Sequence, residues 1–513
     1  MASEALMADV RVHGAQGSSL LAPQLAVSEE EERRGLQLLV RESVYSGAVS
    51  ALTGGAVLTA VAMHLGASNF TIGLLAAAPF LTQLLQLPTI QLIEVTRGRK
   101  RIAVLTSIVG RTMLLGMGIS AMLGGAGALF ALVLGQFVLC GMSAIGSCAW
   151  NSWLRDFIPE ARIGRIMADR TVRSASVSLV AGLAAAGVLA LTGEGSTARG
   201  EAFLGMFAIG CFAGLLSARL VAQIPEPMLP QRNNQVGLGT ILREPLRDAN
   251  FVRLLRFGLS WHFAANFATP FFTVYIVRQL GLSMGLVLVL GAISQVANVA
   301  TLNTWGGLAD KFSNKSVLQF CAPLFIASIA AMVVTSQIGP DPWQIAWLVV
   351  LHLLMGATTA GVTLALANIA LKLSPKGSAT AFVATNAMAT ALAAGIAPVI
   401  GGLLADFFAR RRFELIARWN SPDNNWSLPI TLSQWDFYFI LSALIGLYAL
   451  HRLSLVSEQG EIDRRAMKDQ VLLHARQAVR SVSSVSGLRA GMDLPASLAR
   501  EIAVRARFLQ RYR

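Results

Sequence analysis

The stretch WGGLADKFSNKS, Trp305 to Ser316, decides how this chain is read. Mostly apolar runs flank it on both sides, with no room for a soluble domain between them. Two glycines, one acid and two lysines thus sit at a seam between apolar segments. Such a seam fits the end of one membrane-crossing helix and the start of the next, at the bilayer border.

The rest of the 513 residues agree, with 54% hydrophobic and only 14% charged. A soluble domain carries about a quarter charged residues. Apolar runs predict twelve spans. The first six cover roughly 41–65, 70–94, 102–124, 128–154, 170–192 and 201–224. The second six cover roughly 252–279, 283–309, 315–337, 343–372, 378–407 and 433–455. At ~1.5 Å per residue each can cross a ~30 Å hydrocarbon core. Helices are the expected form, because lipid offers an unpaired backbone N–H no partner. The runs are rich in Leu, Ala and Gly and lack the alternation of barrel strands.

Net charge is +14. Its placement excludes a nucleic-acid patch, because basic residues cluster in short connections and in the C-terminal tail. Arg97, Arg99, Lys100 and Arg101 follow span 2; Arg155, Arg162, Arg165, Arg170 and Arg173 follow span 4. Lys311 and Lys315 follow span 8, and Lys372 and Lys376 follow span 10. The alternate connections are nearly free of them, which predicts cytoplasmic termini. ARRRFELIARW after span 11, with Arg410, Arg411, Arg412 and Arg418, breaks that rule. The polar, proline-containing segment between spans 6 and 7 reads as a linker. Glu94 and Asp310, and likewise Pro159 and Pro375, recur 216 residues apart, as in two related halves. The expected organisation is a disordered cytoplasmic leader (1–40), a six-helix half (41–224), a cytoplasmic linker (225–251), a second six-helix half (252–455) and a basic amphipathic cytoplasmic tail (456–513). In the tail, Met467, Val471, Leu472, Ala475, Val479 and Val482 form one helical stripe opposite Arg464, Arg465, Lys468, Arg476 and Arg480. That pattern suits either an anionic lipid surface or a protein contact.

With these spans around it, WGGLADKFSNKS resembles the signature loop of the major facilitator superfamily (MFS), at Gly306, Leu308, Ala309, Asp310, Lys311 and Lys315. Ser313 and Asn314 replace the usual Gly-Arg. A degraded copy, QLIEVTRGRKRIAVL, keeps Gly98, Arg99 and Lys100, with Glu94 one residue early. APVIGGLLAD (397–406) resembles the family's Pro-x-x-Gly-Gly pattern, in which Pro398, Gly401 and Gly402 bend and thin a helix. NSWLRDFIPEARIGR (151–165) resembles the connection after the fourth helix. The resemblance implies an all-α membrane protein of twelve transmembrane helices in two pseudo-repeat halves, both termini cytoplasmic. It implies secondary transport of a small solute by alternating access, driven by a proton or other ion or by the solute gradient. A monomer in the plasma membrane (the bacterial inner membrane) is expected. A non-transporting assembly factor or scaffold of the same fold is the rival.

The resemblance makes Asp310, with Gly306, Lys311, Glu94 and Arg99, a conformational latch. An acid there can meet the N-terminus of a facing helix and a basic side chain. A plain helix stop with snorkelling lysines is the competing reading. The resemblance also implies candidate cavity positions at Tyr45, Gln136, Asn151, His262, Asn266, His352 and Asn386. His262 and His352 titrate near neutral pH in water; a lone membrane histidine more often bonds across helices. Arg111, near the middle of span 3, needs a partner, a carbonyl cluster or water. The glycine/proline pattern of many drug/proton antiporters is missing from span 5. All acids near spans, including Glu42, Glu94, Asp310 and Asp406, fall at predicted borders, which argues mildly against cationic solutes. No phosphate loop, nucleophile triad or metal-ligand spacing appears, so no enzyme, cofactor or metal is expected. Cys140, Cys148, Cys211 and Cys321 all lie in apolar runs and read as small buried hydrophobes.

Overall fold

The computed structural model describes residues 21–24, 27–193, 195–229, 243–338, 342–374, 379–420 and 425–458. Most of the leader, the middle of the linker, Pro375, Lys376 and the tail beyond Glu458 lie outside the described residues, as do the expectations made for them.

The chain is mostly helical. Its first span starts at Glu29, in α1 (Glu29–Thr53), rather than near residue 41. The correction has a local cause. Ser28 and Glu31 form a reciprocal capping box, and four glutamates sit in the first turn beside the positive end of the helix dipole. The SEEEERR segment, expected to be disordered, is therefore a helix start. Leu36, Leu38 and Leu39 behind it bury against Trp153, Leu154 and Phe157. Gly54 then breaks the helix before α2 (Gly55–His64), with Gly55 at φ 51°.

Span 2 is α3 (Asn69–Leu81), a 3₁₀ turn at Thr82–Leu85, and α4 (Gln86–Thr96). There follow α5 (Arg99–Leu123), α6 (Gly125–Phe157), α7 (Ile163–Leu191) and α8 (Thr197–Gln223). After the linker come α9 (Ala249–Val274), α10 (Met284–Lys311), α11 (Asn314–Thr335), α12 (Pro342–Lys372) and α13 (Ala379–Phe408). The last helix is α14 (Gln434–Ser454). Among the described residues eleven helices, counting α1–α2 and α3–α4 as one each, are long and apolar enough to cross a membrane. The exception, α9, carries Arg253, Arg256 and His262, and buries Phe251, Phe257, Phe267 and Phe271 among its neighbours. A helix packed by other helices needs less apolar surface than one facing lipid.

The all-α expectation fails once. The connection ARRRFELIARW leads into an antiparallel hairpin, β1 (Phe413–Asn420) with β2 (Asn425–Leu432), paired from Phe413 with Leu432 to Asn420 with Asn425. The period-two pattern in FELIARW is a strand signal.

Packing follows two sets. α5 lies against α6 and α8, and α1 against α7 and α8. α10 and α11 lie against α12, and α9 against α13 and α14. Between the sets the main contacts are α3 with α13 and α7 with α10. Trp305, from the signature stretch, is buried and donates its indole N–H to the Ala357 carbonyl at 2.8 Å, tying α10 to α12.

Candidate substrate pathway and gates

The two ends of the bundle differ. The end that carries residues 97–101, 155–165 and 311–315 is called the basic end here. At the opposite end the two helix sets come close enough for their backbones to touch. A Cβ on Gly73 of α3 would collide with the Pro398 carbonyl of α13, and one on Gly402 would lie 2.5 Å from the Asn69 carbonyl. Asp406, at the end of α13, accepts the Asn69 and Phe70 backbone N–H groups at 3.2 and 3.0 Å. These are orphan donors of the first turn of α3, where a carboxylate also meets the favourable end of the dipole. Arg278, just beyond α9, donates to the Ala67 carbonyl at 2.8 Å and to Asn69 Oδ1 at 3.3 Å. Gly285 at the start of α10 lies against the Ala186 carbonyl of α7.

Toward the basic end the same helix pairs separate. A cavity of about 700 Å³ opens between α1, α7 and α10, lined by Ser46, Ser50, Ser174, Ser178 and Gln295 among others. Another, of about 400 Å³, opens between span 2, α9 and α13, with Gln83, Gln86 and His262 on its walls. α4 packs on α5 and α6, its own set, rather than on α13.

At the basic end each set carries its own clamp. Arg99 is fully buried. It pairs with Asp156 at the end of α6 and with Glu226 Oε1, 3.3 Å away and just past α8. It also donates to the Pro227 carbonyl at 2.8 Å. Glu226 accepts the Arg99 and Lys100 backbone N–H groups at 2.9 and 3.1 Å, capping α5. In the second set Glu458, just past α14, accepts the Lys315 N–H at 2.7 Å and Asn314 Nδ2 at 3.0 Å. Lys372, at the end of α12, reaches Glu458 at 3.2 Å. A carboxylate following the last helix thus caps the third helix in both sets.

The residues read as one latch are divided here. Arg99 belongs to the buried clamp. Asp310, Lys311 and Glu94 are exposed, and Gly306 is half-buried. Lys311 Nζ lies 5.2 Å from the Phe312 ring centre. Of the cavity positions, His262 lines the 400 Å³ cavity. His352 is buried, with Nδ1 2.8 Å from the Leu348 carbonyl in its own helix. Gln136 is buried beside Cys140, Asn151 is exposed, and Asn266 donates to the His262 carbonyl. Tyr45 and Asn386 are half-buried. Gly401 makes room for Tyr438, whose hydroxyl donates to the Phe267 carbonyl. Pro398 and Gly402 carry the close crossing with α3, so the thinning expected of this motif serves a contact between the two sets.

Sequence reasoning missed a further cluster. Glu42 of α1 looked like a border acid, yet it is buried, bonded to Arg170 of α7 at 2.9 Å and to Ser217 of α8 at 3.0 Å. Glu42, Arg170 and Ser217 line a chamber of about 260 Å³ together with Arg111 of α5, whose alkyl stem lies over Gly214, where a Cβ would come 2.6 Å from the Arg111 Cδ.

The family model for the Major Facilitator Superfamily matches residues 43–353 and 304–492, together most of the chain. The chain belongs to the Major Facilitator Superfamily. No curated protein matches it in sequence. Solved MFS folds do match. A point mutant of the nucleoside transporter NupG superposes with a TM-score of 0.66 at 11% identity, covering 83% of this chain and all of that one. A D-xylose-proton symporter gives 0.62 at 14%, covering 84% and 99%. A bacterial homologue of the lysosomal transporter Spinster, inward-facing and unoccupied, gives 0.59 at 13%, covering 84% and 97%. As an MFS protein the chain is a multi-pass integral membrane protein and a secondary transporter of a small molecule, not an enzyme.

Proposed function

We propose that this transporter works by rocking two six-helix halves, residues 41–224 and 252–455, about a central cavity, and that the conformation described is open to the cytoplasm. One observation carries the proposal: span 2 and α13 touch through backbone at one end, in α3, and separate around a 400 Å³ cavity toward the other. α9 counts as the twelfth span, because it packs with the apolar helices and continues their alternation. The lysine and arginine bias of the basic end supports cytoplasmic termini, and the proposed setting is the plasma membrane. The Spinster homologue, described as inward-facing, supports the same reading of the open end. Family membership favours transport over the scaffold alternative.

In this reading the buried clamps keep each half rigid, and Asp310 is a latch in its released position. It is exposed here, and among the described residues its side chain meets no hydrogen-bond or ion-pair partner. It engages when the basic end closes. A proton is the proposed coupling ion, as in the D-xylose-proton symporter that shares the fold. Asp310→Asn is expected to lower counterflow about tenfold in proteoliposomes given a pool of labelled sugars, nucleosides and organic anions, at unchanged expression. The tenfold corresponds to the loss of ~1.4 kcal/mol from one charge-assisted contact. Unchanged flux would reject the latch.

A further inference from the structure

We propose that the chamber around Arg111, Arg170 and Glu42 is an oxyanion subsite, so that the solute carried by this protein bears a carboxylate or phosphate group. The proposal rests on the transport reading and adds the class of solute. The chamber measures about 260 Å³ and lies between α1, α5, α6, α7 and α8. Ser46 and Arg170 line it and also line the 700 Å³ cavity, so the two spaces share a wall. A solute in the larger cavity can therefore extend an anionic group toward the chamber.

The charges favour that occupant. Glu42 already has one guanidinium, from Arg170, and one hydroxyl, from Ser217. A second arginine is more than that carboxylate needs. The Arg111 guanidinium feels the charge of the same Glu42 but makes no hydrogen bond among the described residues, and the buried Arg170 Nε is likewise without one. Gly214 provides the groove through which Arg111 reaches this place. Two fixed cations against one anion leave a net positive site with spare forked donors, the arrangement that suits a carboxylate or phosphate. The opposite end points the same way. A cavity there of about 270 Å³ has the guanidiniums of Arg199 and Arg278 on its walls, with the Asp406 carboxylate near Arg278. Cationic walls in a low-dielectric cleft concentrate anions.

The sign of one variant separates a ligand site from an internal ion pair. In a merely structural pair, Glu42→Gln weakens the fold and improves nothing. In an oxyanion site it removes the competing carboxylate and tightens binding. The test titrates inorganic phosphate, and separately succinate, into the purified full-length protein at ionic strength matched with sodium chloride, and follows Tm. At least one oxyanion is expected to raise Tm beyond the chloride control, and which one does so tells phosphate from carboxylate chemistry. Glu42→Gln is expected to lower its apparent Kd about tenfold. Arg111→Gln is expected to abolish the shift, while the exposed Arg34→Gln leaves it intact. Should Arg111→Gln fail to fold, Glu42→Gln decides alone. No shift with either oxyanion, or weaker binding in Glu42→Gln, overturns the proposal. Counterflow of a neutral sugar or nucleoside without oxyanion binding would remove this inference and leave transport standing. Oxyanion binding without counterflow of any solute would keep the site and remove transport.

Discussion

Gly73→Leu is expected to trap the transporter with its opposite end open. A Cβ on Gly73 would collide with the Pro398 carbonyl oxygen of α13, a backbone atom, so rotating the side chain cannot accommodate a leucine. Overpacking of this kind costs roughly 1–3 kcal/mol. The cost falls on the conformation in which α3 meets α13 and spares the one in which they part. The equilibrium between the two therefore moves by about tenfold to a hundredfold. Labelling of a cysteine at Ser50, on the wall of the 700 Å³ cavity, by a membrane-impermeant maleimide checks this. In Gly73→Leu, labelling from the side of the opposite end is expected to rise at least tenfold, and counterflow to fall by a similar factor. Unchanged labelling would mean that the α3–α13 crossing is not a gate.

The second large effect concerns stability. Arg99→Ala is expected to cost about 3 kcal/mol, because it takes the guanidinium from the Glu226 carboxylate, 1% exposed, and leaves Lys100 as the remaining cation near it. Asp156 is more than a third exposed and regains water, so it adds little. Differential scanning fluorimetry should show Tm lower by about 3 °C in a chain of 513 residues. Arg99→Lys should recover only part of it, since an ammonium cannot reach Asp156, Glu226 and the Pro227 carbonyl together as the guanidinium fork does. A wild-type Tm in Arg99→Ala would show that the clamp holds nothing together.

The helices were legible in the sequence because a helix crossing lipid must be long, apolar and bounded by polar residues, and local composition carries all three. WGGLADKFSNKS was legible for the same reason, and it led to the family. The clamps were not. Asp156 and Lys372 stand 216 residues apart, but Glu226 and Glu458 stand 232 apart, because the hairpin lengthens the second half before α14. A repeat sought at one fixed offset passes over the two acids that cap α5 and α11. The Glu42–Arg170 pair joins residues 128 apart in the sequence, and Asp406 caps a helix start more than 300 residues before it. Such contacts depend on which helices are neighbours, which periodicity within one helix does not reveal. Gly402 stood out in the sequence as a small residue in its helix, yet only packing identifies α3 as its neighbour.

The central claim is that the two ends open in alternation. Spin labels at Val95 and Lys311, at the basic end, and at Leu191 and Trp343, at the opposite end, sit at exposed positions, one of each pair on each of the two proposed halves. Electron–electron double resonance on each pair, in a cysteine-free background reconstituted in nanodiscs, reads both ends directly. The account predicts two distances for each pair, and predicts that Gly73→Leu shortens the basic-end distance while lengthening the opposite one. A single distance at both ends that Gly73→Leu leaves in place would contradict it.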